Sequence, residues 1–254
     1  MVPMVAQWTL LGSVLWALTP GADGPAGVLG LAGVLLAGAT AGGGWLLLTR
    51  ALARHGRRSL GPADHVTVTR GTLVCVVVAL TTHLVASATT GPTAQPARVP
   101  LVVLAAVALS LDAVDGWLAR RTGTATPLGA RLDMEVDAFL ILVLSVAASP
   151  VVGWWVLSIG LFRYLLVVAS WVAPWLGGSV PPRHWRKAVA ALQGIVLTVA
   201  VAAVLPRPVA TGAAAAALAL LAWSFGTQGA ELWQAQAAAG VADDVSVQRV
   251  RVVS

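Results

Sequence analysis

The sequence predicts an all-α integral membrane protein whose helices form a polytopic bundle. Of its 254 residues, 58% are hydrophobic and only 10% are charged, and long apolar runs recur along the chain. A soluble domain has about 25% charged residues, so this chain has too few charges for a water-facing surface. The runs approach the roughly 20 residues that cross a bilayer core. Because they are continuous and rich in Ala and Leu rather than alternating, they favour helices over strands.

Eight apolar segments are candidates for membrane-spanning helices. The first is short and contains Gln7, so it fits this description less well than the others. The first two segments form an N-terminal hairpin that a polar stretch separates from the remaining six. The segments cover residues 4–19, 26–48, 66–88, 99–119, 129–148, 151–174, 187–205 and 209–226.

The polar stretches divide the chain into four parts. The hairpin occupies residues 1–49, and the basic linker 50–63, broken by Gly56, Gly61 and Pro62, follows it. We expect part of this linker to form an interfacial helix whose arginines face anionic headgroups. Residues 64–233 form the main membrane domain. Residues 234–254 lack an apolar span and are expected to be a flexible tail.

The basic residues predict the orientation of the chain in the membrane. The formal net charge is +6, and the arginines and lysines cluster after the second and fourth segments, before the seventh, and in the tail. With eight spans these clusters all fall on one side, and the other side receives only Arg98 and Arg207. The positive-inside rule then places both termini in the cytoplasm, in a protein of the cell membrane. The same rule explains the net positive charge, so the sequence does not indicate that the protein binds nucleic acid.

Acidic residues are concentrated between residues 111 and 140, which hold five of the ten in the chain. Asp112 and Asp115 are three residues apart, and Asp133 and Asp137 are four apart. Each pair therefore lies on one face of its helix. The loop between the helices, residues 121–128, is short enough to make them antiparallel neighbours. Both pairs are predicted at the same depth, in the cytoplasmic half of the membrane.

Four carboxylates in a medium of low dielectric constant repel one another strongly. They must be protonated or neutralised by cations, and hard divalent ions such as Mg²⁺ or Mn²⁺ prefer oxygen ligands of this kind. Two such ions would cancel the formal charge of the cluster, and a two-metal site suits displacement at phosphorus. The alternative is a transporter that uses the intramembrane aspartates to couple cation movement.

The spacing of this segment resembles the signature of the CDP-alcohol phosphotransferase (CDP-alcohol phosphatidyltransferase) family. The signature fixes eight residues over 26 positions, and this chain has all eight: Asp112, Asp115, Gly116, Ala119, Arg120, Gly129, Asp133 and Asp137. Residues 62–70 also resemble the entrance of the family's first core helix, where Thr67 and Arg70 match but Asp64 replaces the usual Asn. The six segments from 66 to 226 correspond to the family's six-helix core.

The resemblance implies a divalent-metal-dependent transfer of a phosphatidyl group from a CDP-linked lipid, such as CDP-diacylglycerol or another CDP-alcohol, to an acceptor alcohol. Asp137 is expected to act both as a metal ligand and as the general base on the acceptor hydroxyl. The resemblance is also compatible with a homodimer among membrane lipids. The other metal ligands implied are Asp112, Asp115 and Asp133, and the implied nucleotide-binding residues are Gly116, Ala119, Arg120, Gly129 and Thr67.

Candidates for the acceptor site lie further along the chain. Arg163 lies inside an apolar run, where it binds an acceptor phosphate or pairs with one of the aspartates, since an isolated intramembrane charge is costly. Arg183, Arg186 and Lys187 open the seventh segment, as acceptor ligands or as a positive-inside anchor. Lys187 and Gln193 resemble part of a stretch in phosphatidylglycerophosphate synthases, but the rest differs, so the acceptor stays open.

Overall fold

The computed structural model describes residues 25–54, 62–90, 95–122, 126–173, 175 and 184–253. No strand occurs in these ranges, and the predicted all-α fold is confirmed. The helices are α1 (Pro25–Arg54), α2 (Pro62–Thr90), α3 (Gln95–Thr122), α4 (Pro127–Val152), α5 (Leu157–Val172), α6 (His184–Ala202) and α7 (Arg207–Val253). A short 3₁₀ helix, Trp154–Val156, precedes α5.

Six of the described helices are long and apolar enough to cross a membrane, and α6 adds a shorter apolar segment, Ala188–Ala202. These seven helices correspond to seven of the eight predicted segments, so the chain is a polytopic membrane protein. The predicted segment 4–19 lies outside the described residues, and so do residues 55–61 of the predicted linker. The first linker residues continue α1 as far as Arg54.

The ends of α4 follow from local sequence. Thr126 has an extended backbone, and its hydroxyl accepts a hydrogen bond from the Gly129 N–H, which caps the first turn. Pro127 follows at the first helical position, where its missing N–H is harmless. At the other end Gly153 adopts a φ of 115°, a conformation that favours glycine. Its N–H donates to the Ser149 carbonyl and ends the helix.

Two helices organise the bundle. Helix α2 packs against α1, α3 and α4, and α4 packs against α2, α5, α6 and α7. The core between them is apolar: Val77, Leu101, Leu144 and Leu197 are fully buried. Since side chains that face lipid gain little from burial, close van der Waals packing between helices has to hold such a bundle together.

Small residues set the closest helix crossings. A Cβ atom built on Gly160 of α5 would lie 2.5 Å from the Cα atom of Leu142 in α4. One built on Gly33 of α1 would lie 2.9 Å from the Ala79 carbonyl oxygen in α2. Both contacts involve the backbone of the neighbouring helix, so only glycine permits these distances.

The last helix is longer than the sequence predicts. Helix α7 continues without interruption to Val253, so the backbone of residues 234–253 is helical where a flexible tail is expected. The segment is rich in Ala and has no Pro, a composition that favours continuation of a helix even without an apolar span. Its flexibility in the membrane-bound protein stays a prediction.

Candidate active site

A polar stripe enters the bundle on α2. Asp64, Thr67 and Arg70 are spaced by three residues, which places them on one face of the helix. All three are buried, and Arg70 is fully inaccessible. Arg70 lies six residues inside the membrane-spanning part of α2, where a charge without a partner would be costly.

Arg70 contacts three of the predicted aspartates. One guanidinium nitrogen, Nη1, donates to Asp112 Oδ1 at 2.6 Å. The other, Nη2, lies 2.5 Å from Asp133 Oδ1 and 3.1 Å from Asp137 Oδ1. It also donates to the main-chain carbonyl of Asp133 at 3.2 Å. A single cation on α2 therefore joins carboxylates from α3 and α4.

The three aspartates are brought together through α2. Helices α3 and α4 each pack extensively against α2 and touch each other only lightly. The sequence predicts α3 and α4 as direct neighbours because a short loop joins them. The loop does limit the distance between the helix ends, but the Arg70 side chain of α2 contacts the acidic faces of both helices. The predicted equal depth agrees with the contacts, since one guanidinium reaches both helices.

The donor set suits a hard divalent cation. One carboxylate oxygen from each of Asp112, Asp133 and Asp137 lies within 4.8 Å of the other two. Each of these side chains is about one-third exposed, so an ion from solution has access to them. The Arg70 contacts given above use Oδ1 of each aspartate, and a carboxylate has a second oxygen with which to bind a metal. Oxygen-only ligands of this kind fit Mg²⁺ or Mn²⁺.

Gly129 lies in the first turn of α4, close to the α2 stripe. A Cβ atom at this position would be 2.7 Å from Asp64 Oδ1 and 3.1 Å from the Thr126 hydroxyl. The absence of a side chain at Gly129 thus leaves room for a buried carboxylate from another helix. Asp64, which replaces the Asn of the family pattern, lies against this glycine. The implied nucleotide contact of Gly129 stays a prediction.

Several predicted site residues have side chains outside the described part of the structure. In α3 these are Asp115, Gly116, Ala119 and Arg120, whose backbone continues the helix that carries Asp112. On the acceptor side, Arg186 and Lys187 lie in the first turn of α6, and their side chains are likewise not described. Arg183 lies wholly outside the described residues.

Arg163 has a partner that differs from the predicted ones. Its Nη2 atom donates to Glu135 Oε1 at 2.6 Å, which joins α5 to α4. Glu135 lies between Asp133 and Asp137 in sequence, but they contact α2 whereas it contacts α5. Glu135 thus points away from the two aspartates. Arg163 is thus ion-paired, but with Glu135 and not with one of the aspartates as predicted. Its binding of an acceptor phosphate stays a prediction.

Arg70 was not among the predicted site residues, although the sequence indicated that it would pair with a charge. Arg70 is a charged residue within an apolar segment, and such residues face the interior of the bundle and pair with another charge or with a backbone carbonyl. The aspartates are the nearest available anions on neighbouring helices. The same argument applies to Glu135, which is the acidic partner of the intramembrane Arg163.

The helices that carry these residues match a known protein family. The model of the CDP-alcohol phosphatidyltransferase family matches residues 62–228. This range begins at the first residue of α2, includes the aspartates and Arg163, and ends within α7. Helix α1 lies outside it. A search of curated proteins and a search of solved structures gave no match.

Proposed function

The chain belongs to the CDP-alcohol phosphatidyltransferase family, and from this premise we propose that it transfers a phosphatidyl group from CDP-diacylglycerol to an acceptor alcohol, with release of CMP. The observation that carries the proposal is the cluster of Asp112, Asp133 and Asp137. A transferase of this kind must neutralise the pyrophosphate of its donor. Divalent ions that these carboxylates would hold supply that positive charge.

The aspartates would have different roles in the proposed reaction. Asp112 and Asp133, with Asp115, would position the metal ions against the pyrophosphate. Asp137 would accept the proton of the acceptor hydroxyl while the hydroxyl oxygen attacks the lipid-side phosphorus. A new phosphorus–oxygen bond forms to the acceptor, and the bond between that phosphorus and the oxygen of CMP breaks. CMP then leaves with the bonding electron pair.

The contacts of Arg70 support Asp137 as the base. Its nitrogen lies 3.1 Å from Asp137 Oδ1, against 2.6 Å and 2.5 Å for the contacts with Asp112 and Asp133. A carboxylate that a cation contacts less closely is more available to the hydroxyl of a substrate. Of the three described aspartates, Asp137 is thus the one whose environment is most compatible with proton transfer.

The charge distribution supports a cytoplasmic active site. The aspartates lie toward the membrane side at which α2 and α4 begin and α3 ends. The sequence places its basic clusters, including Arg50 and Arg121, on the same side. A water-soluble nucleotide would enter from there while the lipid chains stay in the bilayer. We place both termini on this side of the cell membrane.

The ion pair of Arg163 bears on where the acceptor alcohol would bind. The Glu135 carboxylate neutralises Arg163, so an acceptor phosphate would have to compete with it. This favours the basic run of Arg183, Arg186 and Lys187 as the acceptor-binding element. A homodimer is compatible with the proposal but is not required by it.

CMP release by the purified protein tests the proposal. The full chain in nanodiscs is incubated with CDP-diacylglycerol, Mg²⁺ and each of glycerol 3-phosphate, inositol phosphate, serine and phosphatidylglycerol, and the lipids are identified by mass spectrometry. We expect CMP and one new phospholipid in stoichiometric amounts, and no reaction after chelation. Absence of CMP with every acceptor, together with ion flux in proteoliposomes without CDP, would favour the transporter alternative instead.

A further inference from the structure

Arg70 has a position that the proposed reaction does not itself explain. Its side chain is fully buried, and both terminal nitrogens contact carboxylates on two other helices. It lies among the same aspartate atoms that would bind divalent ions. A cation at this place must affect how strongly the cluster attracts a metal, because both interact with the same negative charges.

The formal charges define this effect. The carboxylates of Asp112, Asp133 and Asp137 and the guanidinium of Arg70 carry a net charge of −2, which one divalent ion neutralises. Without Arg70 the same three carboxylates would carry −3. Carboxylates that lose a paired cation repel one another and destabilise the fold. Each divalent ion that enters is in turn repelled by the guanidinium.

We propose that Arg70 is a built-in counter-cation, which holds the aspartates of α3 and α4 together when no divalent ion is bound and weakens the binding of those ions. The inference rests on the metal-binding part of the proposed function. Arg70 is a positioning residue in this scheme, because it acts through the carboxylates. The device would let the apo-protein stay folded and would let metal ions exchange, instead of trapping them in the cluster.

The experiment compares metal affinity and stability in charge variants of the full chain in nanodiscs. Mn²⁺ binding is measured by electron paramagnetic resonance, and thermal unfolding is measured in EDTA and in Mn²⁺. The variants are Arg70→Gln, which removes the charge, and Arg70→Lys, which keeps it. Arg207→Gln is the matched control. Arg207 is exposed at the start of α7, so this substitution removes the same charge at a site away from the aspartates.

We expect Arg70→Gln to bind Mn²⁺ at least about tenfold more tightly than wild type, because a repelling charge close to the ion is lost. It should unfold at lower temperature in EDTA and regain most of the difference in Mn²⁺. Arg70→Lys and Arg207→Gln should bind Mn²⁺ with affinities close to that of wild type. Unchanged or weaker Mn²⁺ binding by Arg70→Gln, with equal loss of stability in EDTA and in Mn²⁺, would overturn the proposal.

A charge-balanced double variant covers the case in which Arg70→Gln does not fold. Arg70→Gln combined with Asp112→Asn removes one positive and one negative charge and should recover folding in EDTA. Failure to recover contradicts the counter-cation role. If wild type binds no Mn²⁺, the metal-binding part of the proposed function fails, whereas the EDTA comparison of the single and double variants still decides the role of Arg70.

Discussion

Gly129→Ala is the substitution whose effect the structure defines most closely. Its new Cβ atom would lie 2.7 Å from Asp64 Oδ1 and 3.1 Å from the Thr126 hydroxyl. Ordinary contacts between such atoms begin near 3.4 Å, so Asp64 would have to move by roughly 0.7 Å. Asp64 is 4% exposed and packed inside the bundle, which leaves little room for this movement.

The expected cost follows from these contacts. Overpacking at a buried site destabilises by about 1–3 kcal/mol, and loss of the Thr126 cap would add about 1 kcal/mol. Replacing a helical glycine by alanine stabilises the helix by up to about 1 kcal/mol, which offsets part of this cost. We therefore expect Gly129→Ala to lower the free energy of unfolding by about 1–3 kcal/mol.

Equilibrium unfolding in detergent measures this difference, and two further variants identify its cause. Gly212→Ala is the control, because nothing lies within 4 Å of its built Cβ atom; it should be neutral or slightly stabilising. In an Asp64→Ala background the penalty of Gly129→Ala should shrink by about 1 kcal/mol or more, since the clash is gone. If Gly129→Ala is as stable as wild type, or if its penalty is the same in both backgrounds, the steric argument is wrong.

Three further predictions concern the reaction and the α4–α5 contact. Asp137→Asn should lower the rate of CMP release by about 10²–10⁴-fold while CDP still binds, as measured by calorimetry; full activity would exclude Asp137 as the base. Gly160→Ala should destabilise by about 1–3 kcal/mol in the same unfolding assay that leaves Gly212→Ala unaffected, because the clash is with backbone; equal stability of the two variants would contradict the close crossing. Glu135→Gln and Arg163→Gln should each destabilise by up to about 1 kcal/mol, because the pair is only partly buried, and the double variant should lose less than their sum; additive losses would show that the two side chains do not interact.

The residues that the sequence predicted correctly are those whose environment depends on local pattern. The apolar segments became helices because backbone polar groups in a membrane must be satisfied within the segment. The spacing of Asp112, Asp133 and Asp137 placed them on helix faces at matching depth, and their contacts with Arg70 bear this out. The start of α4 is an exception: Thr126 and Pro127 were predicted to lie in the loop 121–128, but Thr126 caps the helix and Pro127 is its first residue.

The tertiary structure decided which charged side chains on different helices pair with one another. Nothing in local spacing states that α3 and α4 meet through α2, or that Arg163 pairs with Glu135 rather than with an aspartate. These contacts depend on how each helix is rotated and how closely it approaches its neighbour, and residues such as Gly160, far from the charges in sequence, set that approach. The sequence alone therefore predicted which charges enter the membrane-spanning helices, because the cost of burial is local. Only the packed bundle determined which charges neutralise one another, because that depends on distances between helices.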